Sequence, residues 1–222
     1  MAKNKILSNK KILITAGSTW VAIDQVRVIT NIFGGRTGCM IAEKAKQMGS
    51  DVKLLLGPSR LSARNTPVSK IKLVNYRYFH ELLSLTRREI SKGHYDVIIH
   101  SAAISDYAPV KANNNKIPSG KNELIIKLKP TIKIIQQIKK WDPKIYLVQF
   151  KLEVNKTYSQ LINAAYKSLL KNKSDLVVAN DLKNIQTAYI IDRVKKIIKV
   201  KSRKALATTL LRIVGNNIRR GR

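Results

Sequence analysis

The chain has 222 residues, 44% of them apolar and 25% charged. That composition excludes disordered, collagen-like and disulfide-scaffold chains, and no apolar run approaches the ~20 residues of a membrane-spanning helix. The 43 basic residues against 13 acidic ones give a net charge of +30, which fits either an anionic partner or a lysine bias spread along the whole chain, and names no function by itself.

The first strand-like segment is KILITA (11–16). No apolar stretch with a small-residue cleavage site precedes it, so no secretory signal is expected. TGCMIAEKAKQMG (37–49) reads as a helix ending at a glycine, and DVKLLL (51–56) as a second strand stopped by Gly57-Pro58. KIKLVN (70–75) is a third strand, FHELLSLTRREISK (79–92) a helix with apolar spacing near 3.6, and YDVIIHSAA (95–103) a fourth, strongly apolar strand. Residues 107–122 carry no periodicity and read as a long, mobile loop. Then come a strand over 123–129, a short helix near 131–140, a strand over 144–152, a helix over 157–172 and a strand over 175–180. A hairpin (187–192 and 195–201) and an amphipathic helix (203–218) close the chain. The order predicts an α/β fold: a Rossmann-like, doubly wound, mostly parallel sheet with helices on both faces and a C-terminal hairpin extension. With no repeat and no clear linker, one domain over 1–222 is expected. The single Cys39 cannot form an internal disulfide and fits a reducing, cytoplasmic setting.

In such sheets ligands bind at the carboxyl ends of the strands. Here strand 1 runs into AGSTW (16–20), and glycines 34, 35 and 38 cluster before the first helix, where backbone amides can approach an anion and Arg36 can reach it. The dinucleotide fingerprint G-x-G-x-x-G is absent, and strand 2 ends without an acid, which weighs against NAD; NADP with Arg60 or Arg64 on its phosphate is a weak alternative. HSAAISDY (100–107) supplies small residues that let a ligand lie on the backbone, and Asp106 can hold a hydroxyl, an amide or Mg²⁺, or merely cap a turn. Lys111, Lys116 and Lys121 sit where a loop can cover a polyphosphate; Lys167 and Lys171 share one helix face. His80, His94 and His100 have no metal-ligand spacing, and Tyr107 with Lys111 matches Y-x-x-x-K only in a loop. A basic nucleic-acid module is a further alternative, but no motif for it is present.

Five blocks together resemble one family, the phosphopantothenate–cysteine ligases of coenzyme A biosynthesis. ITAGSTWVAIDQVRVITNIFGGRTG (14–38) is similar to that family's ITAGGTxxPIDxVRxIxNxSSGKxG. HSAAISDYAP (100–109) resembles AAAVSDYxP, and KIPSGKNELIIKLKPTIKII (116–135) resembles its lysine loop, strand and TPxI segment. VQFKLE (148–153) is similar to VGFxxE, and SDLVVAND (174–181) to DxIVAND. The blocks run in order over essentially the whole chain.

The resemblance implies that 4′-phosphopantothenate is activated by a nucleoside triphosphate with Mg²⁺, CTP in preference to ATP, and that L-cysteine takes the acyl group. It implies Asn31 and Lys116 as catalytic residues. Nucleotide contacts fall on Gly17, Gly35, Gly38, Ser101, Ala102, Asp106, Lys116, Phe150, Lys167, Lys171 and Asn180. Substrate contacts fall on Arg27, Asn31, Ala102, Ala103 and Asp106, with Arg27 reaching across a homodimer interface. A monofunctional form without FMN, served by a separate decarboxylase, is implied as well. The sequence departs from the family pattern at Phe33-Gly34-Gly35-Arg36 (for SSGK), at Ile117-Pro118-Ser119, at Ile132 and at Gln149 (for glycine).

Overall fold

The computed structural model of the chain describes residues 6–58, 71–120 and 122–219. Arg60, Arg64 and Lys121 lie outside the described residues. In chain order the elements are β1 (Lys11–Ala16), β2 (Trp20–Ala22), β3 (Val28–Thr30), α1 (Arg36–Gln47), β4 (Asp51–Leu56), β5 (Lys72–Asn75), α2 (Phe79–Gly93) and β6 (Val97–His100). They continue with β7 (Tyr107–Pro109), β8 (Leu128–Pro130), α3 (Ile134–Trp141), β9 (Tyr146–Glu153), α4 (Tyr158–Lys171), β10 (Leu176–Asp181), β11 (Ala188–Asp192), β12 (Ile197–Val200) and α5 (Arg203–Arg219).

Eight strands form one sheet in the order β12-β11-β10-β9-β6-β1-β4-β5. The six from β5 to β10 are parallel, and β11 and β12 add an antiparallel extension at one edge. Counting only the parallel strands, the order is 3-2-1-4-5-6, the doubly wound arrangement. It reverses between β1 and β6, and a crevice opens there at the carboxyl ends of both strands.

β1 is buried on both faces because helices cover both. Ile12, Ile14 and Ala16 pack toward α1 and α5, and Leu13 packs toward α2 and α3. In α1, Gly38, Ile41, Ala42 and Ala45 follow the i, i+3, i+4, i+7 spacing of one helical face and are all buried, with Cys39 beside them. α4 starts in a reciprocal cap: the Gln160 amide donates to Thr157 Oγ1 at 3.3 Å, and the Thr157 amide donates to Gln160 Oε1 at 3.0 Å. Among the described residues, no helix is long and apolar enough to cross a membrane.

Three expectations need correction. The strand expected over 95–103 ends at His100, because Ser101–Ala103 leave the sheet to build the crevice floor. The strand expected over 123–129 is reduced to Leu128–Pro130, with Ile125 74% exposed, since no helix covers that apolar run. Residues 107–122 are not wholly irregular: Tyr107–Pro109 pairs antiparallel with Leu128–Pro130. The β2–β3 hairpin was not anticipated at all; each strand has three residues, too few to display a period.

Candidate functional site

The carboxyl end of β1 turns at Gly17, whose φ of 81° is a left-handed conformation. Its carbonyl accepts the Ala103 amide at 2.8 Å, which ties this turn to the chain leaving β6. Gly35, also left-handed, caps the N-terminus of α1 with its Cα face against Gly17; a Cβ there would lie 2.6 Å from the Gly17 nitrogen. Gly38 lies against Ala16 and Ser101, and Ser101 Oγ donates to the Thr15 carbonyl at 2.7 Å. Four of the expected nucleotide contacts therefore meet at the β1–β6 reversal, with the N-terminal amides of α1 beside them. Among the described residues no side-chain cap hydrogen bond is made at this end and no acid stands in the first turn, which leaves the positive end of the helix dipole for an anion.

A cavity of about 360 Å³ opens next to this reversal, between α3, β9 and α4. Ala102, Asp106, Phe150 and Lys171, all anticipated, line it. Lys133 and Lys151 line it too and add positive charge. Among the described residues of its wall Asp106 is the only carboxylate, and it pairs with Lys133 Nζ at 2.5 Å. Lys167 stands one helical turn before Lys171 on α4, exposed and outside the cavity wall. Asn180, half-buried near the end of β10, is also outside it.

Asn31 follows β3 and donates its side-chain amide to the Ala103 carbonyl at 3.1 Å, so the hairpin places it against the crevice floor. Thr30 Oγ1 reinforces this by donating to the Thr19 carbonyl at 3.0 Å. Arg27, in the β2–β3 turn, pairs with Asp24 and donates to the Ile117 carbonyl. Lys116 is exposed and is not part of the cavity wall. His80 and His94 sit at the ends of α2, His80 stacked on Tyr78, away from the cavity.

Two buried polar residues of the cavity wall, Gln149 and His100, were given no site role by the sequence. Gln149, register partner of His100 in the sheet, is held by Ser168, Asn172 and Ser174. His100 Nδ1 lies 2.9 Å from Thr15 Oγ1, while Nε2 has no partner among the described residues. The signal for His100 was its place at the end of an otherwise apolar strand, and for Gln149 its replacement of the family's glycine within β9. Burial pulls the His100 imidazolium down from 6.5 to about 4, so the folded chain holds a neutral ring. In this window the unfolded chain binds the extra proton. The stability is whole above pH 6.5 and is lost as the pH falls toward 4, by about 3 kcal/mol for this group. Thermal melts at pH 7 and 4.5 should show a drop that is clearly smaller in His100→Leu. Equal drops in both proteins would rule this out.

The family model described as the DNA/pantothenate metabolism flavoprotein C-terminal domain matches residues 7–216. The chain belongs to this family. It is 37% identical over 179 residues to the coenzyme A biosynthesis bifunctional protein CoaBC of Thermococcus kodakarensis, covering 81% of this chain and 43% of that one. It superposes on the crystal structure of the DNA/pantothenate metabolism flavoprotein from Streptococcus pneumoniae with a TM-score of 0.85 and 33% identity, covering 94% of this chain and 99% of that one. A Cab2 variant in complex with phosphopantothenate-cysteine shares the fold, with a TM-score of 0.73 at 19% identity over 94% and 87% of the two chains. The chain spans about half the length of the curated relatives it matches, 43% of the Thermococcus protein and 58% of another. The fold class expected from the element order is that of the family.

Proposed function

We propose that this chain joins 4′-phosphopantothenate to L-cysteine through an acyl-nucleotidylate, with CTP preferred over ATP. The observation that carries the reading is the docking of Asn31 on the Ala103 carbonyl, beside a cavity whose described wall carries three lysines and a single acid. In the first step a carboxylate oxygen of phosphopantothenate bonds to the α-phosphorus, and the bond to the pyrophosphate leaving group breaks. In the second, the cysteine amine bonds to the acyl carbon, loses a proton and expels the nucleoside monophosphate.

The residues divide that work. The amides at Gly17, Gly35 and the start of α1, with Gly38 and Ser101 packed behind them, take the phosphates. Phe150 and Asn180 flank the nucleoside; Lys167 and Lys171 stand on the phosphate side, joined by Lys133 and Lys151. Lys116 neutralises the charge that grows on the phosphoryl group, and the Asn31 amide donates to the oxyanion of the aminolysis step. Asp106 would help hold the Mg²⁺ that accompanies the triphosphate, in keeping with the one or two carboxylates such sites use, and the bound ion would supply charge screening there. Ala102 and Ala103 let the acyl chain lie on the backbone, and Arg27 meets the phosphate of phosphopantothenate bound by a second copy of the chain. The exposed apolar residues Val110, Leu124, Ile125 and Leu128 on and beside the β7–β8 pair give that homodimer a surface to bury. A decarboxylase takes the product onward.

The test is pyrophosphate release from purified protein with phosphopantothenate, cysteine and Mg²⁺, run with CTP and ATP in parallel. Release that requires phosphopantothenate is expected, faster with CTP. No release with either nucleotide from folded protein would sink the reading.

A further inference from the structure

The turn between β2 and β3 carries a carboxylate that the reading above leaves unused. Asp24 is 4% exposed, while its neighbours Gln25 and Val26 stand in solvent. Its two oxygens have separate partners. Oδ1 accepts the amides of Val26 at 2.9 Å and Arg27 at 2.8 Å, which closes the turn. Oδ2 accepts Arg27 Nη1 at 2.6 Å and the Ile117 amide at 3.0 Å, the latter across 93 residues of sequence. The same Nη1 donates to the Ile117 carbonyl at 3.0 Å. One ion pair therefore holds both backbone groups of the residue that follows Lys116.

A turn needs only Oδ1. The second oxygen, and the burial of the whole carboxylate, are explained by the long-range contact. A further bond joins the same two segments: the Asn113 amide donates to the Ile23 carbonyl at 2.9 Å. Residues 111–116 and 118–120 are exposed, so apolar packing does little to fix this stretch and hydrogen bonds set its position. Burial pushes the Asp24 carboxyl up, but the amides of Ile117, Val26 and Arg27, with the Arg27 guanidinium, outweigh it and hold the group well below the usual carboxylate range.

We infer that Asp24 is a positioning residue for Lys116: with Arg27 it locks the Lys116 segment onto the hairpin that ends in Asn31. Both groups assigned to the chemistry then belong to one frame, although they lie 85 residues apart in sequence. The inference rests on the role proposed for Lys116.

Asp24→Asn keeps the shape but loses one of the two acceptor oxygens, and with it the charge that binds Arg27. Hydrogen exchange followed by mass spectrometry should speed up roughly tenfold or more across 111–118. The kcat of pyrophosphate release should fall by about tenfold or more, with KM for cysteine within twofold. Ile117→Pro removes the amide donor from the far side and should reproduce both effects. The double variant should add little, because both changes break the same contact. Unchanged exchange across 111–118, or an acceleration spread evenly over the chain, would overturn the inference; if Asp24→Asn does not fold, Ile117→Pro decides on the same readouts. A wild-type protein that releases no pyrophosphate overturns the ligase reading instead, and the exchange data still decide whether Asp24 holds the segment.

Discussion

Lys116→Gln should lower the kcat of pyrophosphate release by ~10²–10³-fold, the range seen when one electrostatic stabiliser of a transition state is removed. Glutamine keeps the length and hydrogen-bonding capacity but cannot offset charge growing on the α-phosphoryl group. KM for phosphopantothenate should move much less, because the ammonium acts on the transition state more than on the bound substrate. The side chain is exposed, so the melting temperature should stay within a degree or two. Single-turnover rates with CTP, alongside a thermal melt, separate the two effects. Turnover equal to that of the wild type would remove Lys116 from the chemistry.

A large stability effect is expected at Gly17. A Cβ added there would meet the nitrogen, Cα and oxygen of Gly57 at 2.8, 2.9 and 2.9 Å, and all three are backbone atoms that cannot swing away. The positive φ adds its own strain of roughly 1–2 kcal/mol, and the overlap roughly 1–3 kcal/mol more. Gly17→Ala should therefore cost about 2–5 kcal/mol, and lower the melting temperature by roughly 5–15 °C in a chain of this size. Gly120 is the control: its φ is similarly positive, at 92°, but a Cβ would meet nothing within 4 Å. Gly120→Ala should show the strain alone, about 1–2 kcal/mol. Equal losses in the two variants would mean that the close approach of Gly17 to Gly57 contributes nothing.

The sheet was legible in the sequence because its strands are buried on both faces. KILITA, DVKLLL and DLVVAN are nearly continuous apolar runs, and only strands or buried helices read that way. The two small hairpins were not legible. Trp20–Ala22 and Val28–Thr30 are too short to show a period, and Tyr107–Pro109 and Leu128–Pro130 each end in proline, a residue that argues against a strand. The run Leu124 to Ile126 was misleading for a different reason: hydrophobicity reports a tendency to be buried, yet the described residues leave Leu124 and Ile125 exposed.

The candidate site divides along the same line. Ala102 and Asp106 follow a strand, Phe150 lies in one and Lys171 on a helix, and the topology alone carried them to one cavity. Asp24 and Arg27 match the D and R of the family's PIDxVR block, but the block does not say what the acid holds, because its decisive partner is 93 residues away. Lys133 and Lys151 were hidden by number: in a chain with 43 basic residues no single lysine stands out.

Cys39 is the only cysteine in the chain, and it lies 2% exposed on the inner face of α1. Burial, helped by the nearby Glu43 charge, pushes its thiol up to about 11. Only the thiolate attacks a disulfide, and at pH 7 about one molecule in ten thousand would carry it. The proposed reaction consumes a small thiol whose oxidised form is a disulfide. A protein built this way can work in a pool of cysteine and cystine without forming mixed disulfides with its own substrate, and its activity should not depend on added reductant to protect the chain.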